Sequence, residues 1–305
     1  MNLHDLDVFL AAARARSVTR AATELGTVQS NVTTRIRVLE SDLGAQLFRR
    51  DHRGVELTAK GQELVPLAQQ IIALVGKARD QISGKEREPS GPMRLGAVQT
   101  TAAARLPELL KRYSEQFEDV AIAVETGMSS ELIEKVLDRR IAGAFVSAVP
   151  ERPDLQVLPA FVEEVVALTH PACRSLKSYL SAERIPKILV YRTGCSYRQK
   201  LEHFLLDAGF PQLDEMEFGT FDGIIGCVGA GLGLTMLPRS VVERSARRRE
   251  VRVHALPGAS GRMEVAFVTR KGDVSSSALL KFVELLAAER LAQRSNGRHR
   301  QRSKR

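Results

Sequence analysis

The sequence predicts an N-terminal all-α winged helix-turn-helix domain followed by a larger α/β unit. Three observations predict it. Residues 17–40, SVTRAATELGTVQSNVTTRIRVLE, read as a short helix, a glycine turn and an amphipathic helix. Residues 44–57, GAQLFRRDHRGVEL, read as a β-hairpin with a basic loop. Beyond residue 93, strand-like and helix-like segments alternate, the pattern of an α/β unit with mostly parallel sheets.

A first helix is expected over about Leu3–Arg16, with Leu3, Leu6, Phe9, Leu10 and Ala13 on one stripe. Ser17 is placed to cap a second, and small Ala21 and Ala22 let a neighbour approach. Gly26 and Thr27 turn the chain into a third helix, from about Val28 to Leu43. Val28, Val32, Ile36, Leu39 and Leu43 form its apolar stripe. Its opposite face carries Ser30, Thr34 and Arg37, flanked by Asn31 and Thr33, with Gln29 in the first turn. A polar helix face without carboxylates, leaning on a shorter helix, suits DNA reading. An ordinary αα-hairpin with a solvated face is the alternative. In the hairpin, Gln46–Phe48 and Val55–Leu57 flank a loop with Gly54 in the turn, and Arg49, Arg50, His52 and Arg53 outweigh Asp51. Arg50 and Arg53 suit a phosphate backbone.

Thr58 can cap a long helix to about Ser83, spanning roughly 39 Å. Leu64, Ala68, Ile71, Val75, Ala78 and Ile82 make a heptad-like seam, read as a dimerisation helix or as a helix packed on its own domain. Pro66 should kink it. Residues 83–92, SGKEREPSGP, read as a hinge. Strands are expected at Met93–Val98, Val120–Thr126, Gly143–Ser147, Val157–Leu168, Ile188–Tyr191, Met216–Gly219, Leu234–Leu237, Val251–Ala255 and Met263–Thr269. Helices are expected at Ala104–Gln116, Ser130–Arg139, Tyr197–Ala208, Phe221–Gly229 and Ser275–Arg290.

Residues 3–82 resemble the N-terminal domain of the LysR family of bacterial transcription regulators. The matching words are LHDLDVFLAAARARSVTRAATEL, VQSNVTTRIRVLESDLGAQLFRR and GVELTAKGQEL. Thr27 and Val28 depart from the family, which usually has an apolar residue and then Ser or Thr there; Thr34 replaces a usual basic residue. The resemblance implies domains at 1–58 (winged helix-turn-helix), 59–91 (linker helix and hinge) and 92–290 (effector binding). It implies a two-lobed effector domain like a periplasmic binding protein, with lobe I at 92–161 and 265–290 and lobe II at 162–264. A small molecule would bind between the lobes.

Several strand ends run straight into helix starts, where free N–H groups and the positive dipole end gather. They are Gln99–Thr101, residues 193–197 (TGCSY) and Thr220. With the resemblance, the expected effector residues are Gln99, Thr100, Thr101, Cys195, Ser196 and Thr220, with Thr126, Gly127 and Ser147 added. The alternative is that these hydroxyls only cap helices. No acid lies within 99–101 or 193–197, and Arg192 and Arg198 are near, so a small anion is the expected ligand. Cys195, at a helix start flanked by Arg192 and Arg198, could have a lowered pKa and sense oxidants, but the absence of a nearby partner cysteine speaks against that reading. Glycines 229, 231 and 233 follow a helix and precede a strand, the reverse of a dinucleotide fingerprint, and read as structural.

Nothing points to an enzyme, a metal or a cofactor: HExxH, GxSxG and P-loop words are absent and the six histidines have no ligand spacing. Three scattered cysteines, an N-terminus unlike a signal peptide and no apolar run near ~18 residues fit a cytoplasmic protein with no membrane contact. Net charge is +9; residues 291–305 hold six Lys or Arg, and without them +9 less 6 leaves +3. That tail reads as disordered, either solubilising or a sequence-blind DNA contact. The partners expected are double-stranded DNA, a small-molecule effector and further copies, as homodimer or homotetramer. The rivals are an α/β ligand-binding or enzymatic protein whose N-terminal helices only dimerise, and a nucleoid-type protein binding DNA without preference.

Overall fold

The computed structural model describes residues 1–51, 54–83, 88–272 and 276–302. They divide into two compact units, Met1–Glu88 and the remainder from Pro89.

The first unit contains α1 (Leu3–Ala15), α2 (Val18–Glu24), α3 (Gln29–Leu43), the hairpin β1 (Phe48–Asp51) and β2 (Gly54–Leu57), and α4 (Ala59–Ser83). Ser17 caps α2 by accepting the Arg20 N–H at 3.3 Å. Leu6, Phe9, Ala21, Ala22, Val32, Ile36 and Leu39 share one core. The expected stripe of α3 is shorter than its spacing implied: Val28 is 65% and Leu43 41% exposed. Helices α1 and α2 pack against α3, and of the stripe Val32, Ile36 and Leu39 enter that core. Buried Asp5 accepts from Arg35 at 3.3 Å, joining α1 to α3.

The wing is anchored to α3 through Glu40, whose carboxylate accepts the N–H groups of Leu47 (2.8 Å) and Phe48 (3.2 Å). Register pairs Phe48 with Leu57 and Asp51 with Gly54. Gly54, expected in the turn, therefore opens β2; His52 and Arg53 lie outside the described residues. Thr58 caps α4 by accepting the Gly61 N–H at 3.0 Å, and α4 runs on through Pro66. The expected seam divides. Leu64, Ala68 and Ile71 pack into the unit's own core. Leu67 and Leu74, seven residues apart, are each 52% exposed on the same helix.

The second unit runs β3 (Gly91–Ala97), α5 (Gln99–Ala104), α6 (Leu106–Gln116), β4 (Val120–Thr126), α7 (Ser129–Leu137), β5 (Gly143–Ser147), β6 (Leu155–Thr169) and α8 (Leu176–Ala182). It continues with β7 (Lys187–Tyr191), α9 (Ser196–Asp207), β8 (Asp214–Phe218), α10 (Phe221–Gly229), β9 (Thr235–Pro238), α11 (Arg239–Arg244), β10 (Arg252–Ala255), β11 (Arg262–Arg270) and α12 (Ser277–Arg302). The sheets are mixed, correcting the mostly parallel expectation. β3 pairs in parallel with β4 and β5, and β7 with β8. By contrast β6 pairs antiparallel with β9, β10 and β11, and β11 also with β5.

Strand β6 makes both lobes. Residues up to Glu164 pair with β11, and Val165–Thr169 pair with β9 and β10. Lobe I centres on the ring cluster Phe145, Phe161, Phe267 and Phe282. Lobe II packs β7, α9, α10 and β9 around Leu189, Leu201, Ile225 and Leu237. The helix expected over Ala104–Gln116 starts earlier and breaks at Arg105, giving α5 and α6. Helices α8 and α11, both short, were not expected. The tail expected to be disordered instead continues α12 to Arg302, since the preceding run LLAAERLAQR is rich in strong helix formers.

Gly61 sits where α4 meets the wing. A Cβ there would lie 2.1 Å from the Leu47 carbonyl oxygen, a backbone atom held by the Thr58 N–H. Gly61→Ala should lower stability by about 1–3 kcal/mol through overpacking, measurable as a lower midpoint in urea unfolding of the whole chain.

Candidate functional site

Helix α3 presents Gln29, Ser30, Thr34 and Arg37 exposed, with Asn31 and Thr33 half-buried beside them. The glycine turn and α2 set its start, and Val28 gives it no side-chain cap. Asn31 Nδ2 donates to Thr27 Oγ1 at 2.9 Å, so Asn31 braces the turn. The Thr33 and Thr34 hydroxyls donate to the carbonyls of Gln29 (3.0 Å) and Ser30 (2.9 Å), one helical turn back. Their oxygens remain available to accept. Gln29 and Arg37 extend from this face free of carboxylate partners among the described residues. Arg50 lies in β1, within the wing, and Arg53 lies outside the described residues.

The second site lies in the second unit, where lobe I and lobe II strand ends meet. A cavity of ≈ 50 Å³ opens there, against roughly 10–15 Å³ for one water. Gln99, Thr100, Thr126, Gly127, Ser147, Cys195 and Ser196 line it, so seven of the nine expected residues are brought together. Thr101 is buried in α5 away from the lining. Thr220 is exposed and caps α10, accepting the Gly223 N–H at 3.2 Å. For Thr220 the capping alternative describes what the side chain does.

The remaining lining comprises Val98, Met128, Ser129, Tyr191, Arg192, Gly194, Tyr197 and Phe221. Most flank an expected residue by one or two positions, so the signal was the strand end itself rather than its hydroxyls. Two helices start at the cavity without a side-chain cap, α5 after Val98 and α9 after Cys195. Helix α7 starts there too, but Glu131 turns back to accept the Met128 N–H at 3.3 Å. No Asp or Glu lines the cavity.

Polar contacts cross between the lobes. Tyr191 of lobe II donates to Gln99 of lobe I in a short contact, and Arg192 donates to Tyr191 Oη at 3.1 Å. Arg192 also stacks on the Tyr191 ring, 5.3 Å from its centroid. Arg198 is unavailable to a ligand, being held by Glu202 (2.7 Å), Glu215 (2.5 Å) and Glu217 (2.9 Å). Behind the cavity, Arg105 at the α5–α6 break grips buried Glu163 through Nε (2.6 Å) and Nη2 (3.0 Å). Ser240 of α11 donates to the same carboxylate at 2.8 Å.

Burial pushes the Cys195 thiol above its usual range, against weaker lowering by the N–H groups of Arg198 and Tyr197. The expected activation of Cys195 is overturned: desolvation outweighs the helix start and the one arginine, which carboxylates already neutralise.

Residues 3–62 match the bacterial regulatory helix-turn-helix protein, lysR family, and residues 86–290 match the LysR substrate binding domain. The chain belongs to the LysR family. It is 43% identical over 284 residues to the uncharacterized HTH-type transcriptional regulator YusT of Bacillus subtilis, covering 93% of this chain and 95% of that one. To the regulator GltR of the same organism it is 39% identical over 286 residues, with 93% and 95% covered. Among solved structures, a mutant OxyR of Corynebacterium glutamicum superposes with TM-score 0.69 at 21% identity, covering 94% and 95% of the two chains. Full-length CbnR, crystallised with its target DNA, superposes at 0.52 and 22% identity, covering 94% and 99%. This LysR-family chain is therefore a DNA-binding transcriptional regulator with an effector-binding domain. The enzymatic rival falls, since the helix-turn-helix match spans the N-terminal helices and the relatives are regulators. No helix among the described residues is long and apolar enough to cross a membrane.

With its pKa raised by burial, Cys195 carries less thiolate than a free cysteine at the same pH, and its sulfur is also shielded from reagent. At pH 8.5, iodoacetamide should label Cys195 at least about tenfold more slowly in the folded chain than after unfolding, and more slowly than half-buried Cys173 and Cys227. Peptide mass spectrometry over a time course reads this directly.

Proposed function

We propose that this regulator reads a dyad operator through α3 and answers to a small anionic effector, such as a carboxylate, held between its lobes. The observation that carries the effector reading is the cavity itself: two helix starts without side-chain caps meet there and no carboxylate lines it. Backbone N–H groups and hydroxyls then solvate an anion at little cost. Arg192 stands at the cavity as the one cationic side chain of the lining.

On the DNA side, Gln29, Ser30, Thr33, Thr34 and Arg37 approach base edges, and Asn31 supports the turn they start from. Arg50 and Arg53 of the wing contact phosphates, which positions the head without selecting sequence. A homodimer forms along α4, through the face bearing Leu67 and Leu74 rather than the one bearing Leu64 and Ala68, which the core has already taken. The CbnR complex with DNA supports the operator reading by analogy of fold. A regulator of this kind works in the cytoplasm.

Gln29→Ala should weaken binding to the operator by roughly 1–3 kcal/mol while sparing random-sequence DNA. Equal losses on both, in a fluorescence-anisotropy titration, would make Gln29 a scaffold residue. Calorimetric titration of the full chain with carboxylates, amines and neutral compounds tests the effector. Carboxylates should bind, and Thr100→Val should weaken them by roughly 1–2 kcal/mol with operator affinity unchanged. Binding of an amine or a neutral compound instead, indifferent to Thr100→Val, would reject the anion.

A further inference from the structure

Among the described residues of the first unit, Val28 is the most exposed large apolar side chain, at 65%. It stands at the start of α3, where its carbonyl accepts the N–H groups of Asn31 (3.0 Å) and Val32 (3.4 Å). Two features of the position are unfavourable for the fold by itself. Apolar surface is left in water. The helix start also goes without a side-chain cap, although Ser, Thr, Asn or Asp there would satisfy a free N–H, and valine is among the poorest choices. The other three helices of this unit each start under such a cap. Asn2 accepts the Asp5 N–H at 2.9 Å, Ser17 that of Arg20 at 3.3 Å and Thr58 that of Gly61 at 3.0 Å. Where a local rule is broken twice with no compensation inside the chain, the compensation is sought outside it.

The position is nonetheless held still. The Thr27 N–H donates to the Ala22 carbonyl at 2.9 Å, and Asn31 Nδ2 donates to Thr27 Oγ1 at 2.9 Å. The backbone is thereby pinned on both sides of Val28, and a β-branched side chain has few rotamers to choose from. Val38 and Leu43 are also exposed on α3 but lie roughly 15 and 22 Å further along its axis. Recognition helices meet base edges with their N-terminal residues, so of the three only Val28 stands at the reading end. Base edges in the major groove offer hydrogen-bonding groups and one apolar group, the C5-methyl of thymine. A phosphate offers an isopropyl group nothing.

We propose that Val28 reads thymine: its side chain packs on the C5-methyl of one thymine in each half-site, next to the base edge taken by Gln29. This rests on α3 as the operator-reading helix, proposed above, and adds a base position selected by apolar contact instead of hydrogen bonding. The missing cap and the exposed isopropyl group then have one explanation, a contact made only on DNA.

The probe is an operator selected by the full chain from random-sequence duplexes, with each thymine replaced in turn by deoxyuridine. That replacement removes the methyl group and leaves every hydrogen-bonding group in place. Wild type should bind about three- to tenfold more weakly when one particular thymine of a half-site is replaced, as read by fluorescence anisotropy. Val28→Ser should bind the two duplexes equally. It should also unfold at or above the wild-type temperature, because serine supplies the cap on a backbone already extended there. Selection of an operator without thymine, or wild type indifferent to every replacement, overturns the proposal without recourse to any variant. It is equally overturned if Val28→Ser keeps the methyl sensitivity, since another side chain then reads the base, or if Val28→Ser unfolds lower, since valine then serves the fold. A changed sedimentation coefficient for Val28→Ser, with no methyl sensitivity in wild type, makes Val28 a subunit contact and overturns it as well. Gln29→Ala on the same probes separates the two levels. If it loses operator preference while the deoxyuridine series is flat, only the Val28 contact falls; if it keeps that preference, α3 is not the reader and both fall.

Discussion

The second unit depends on one strand serving two sheets. β6 is fifteen residues long, and its partners change from β11 to β9 and β10 between Glu164 and Val165. Here the crossing carries Glu163, a carboxylate buried to 3% exposure. Such a group is tolerated only when paired and hydrogen-bonded, and removing one partner of a buried pair costs several kcal/mol. Arg105 and Ser240 provide the pairing from either side of the crossing. The break between α5 and α6 lies at Arg105, just before Pro107, whose missing N–H cannot continue the helix, and from that break Arg105 reaches Glu163.

Helix starts differ in what closes them. Ser17, Ser175 and Thr220 cap theirs with a side-chain oxygen, whereas the starts after Val28, Val98, Arg105, Cys195 and Pro238 have no such cap. Of the uncapped starts, those after Val98 and Cys195 lie at the cavity.

This explains which parts were legible in the sequence. The first unit was read nearly element by element, since local spacing of Val32, Ile36 and Leu39 and a glycine turn determine it. Strands such as Val120–Thr126 and Gly143–Ser147 were placed to the residue because continuous β-branched and aromatic runs mark them. Strand direction was not legible: whether β6 runs with or against β11 depends on contacts about a hundred residues apart. The division of the α4 stripe between Ala68, buried, and Leu67, exposed, depends on which neighbour reaches it first. At the cavity, segments were legible and individual side chains were not. Thr100 and Thr101 are adjacent and alike, yet only one lines the space. The sequence could not show which way the Cys195 pKa moves, because burial and the carboxylates from β8 that hold Arg198 come from tertiary packing.

Glu40 gives the DNA-reading head a mechanical property. Its single carboxylate, on the same helix as Gln29 and Ser30, holds the N–H groups that begin β1. Thr58, donating to the Gln46 carbonyl at 2.7 Å, ties the start of α4 to the same corner. Helix α3, wing and linker helix are thereby joined at one point, like three spokes on a hub. A torque applied along α4 is delivered to α3 and the hairpin together, so the three elements turn as one piece.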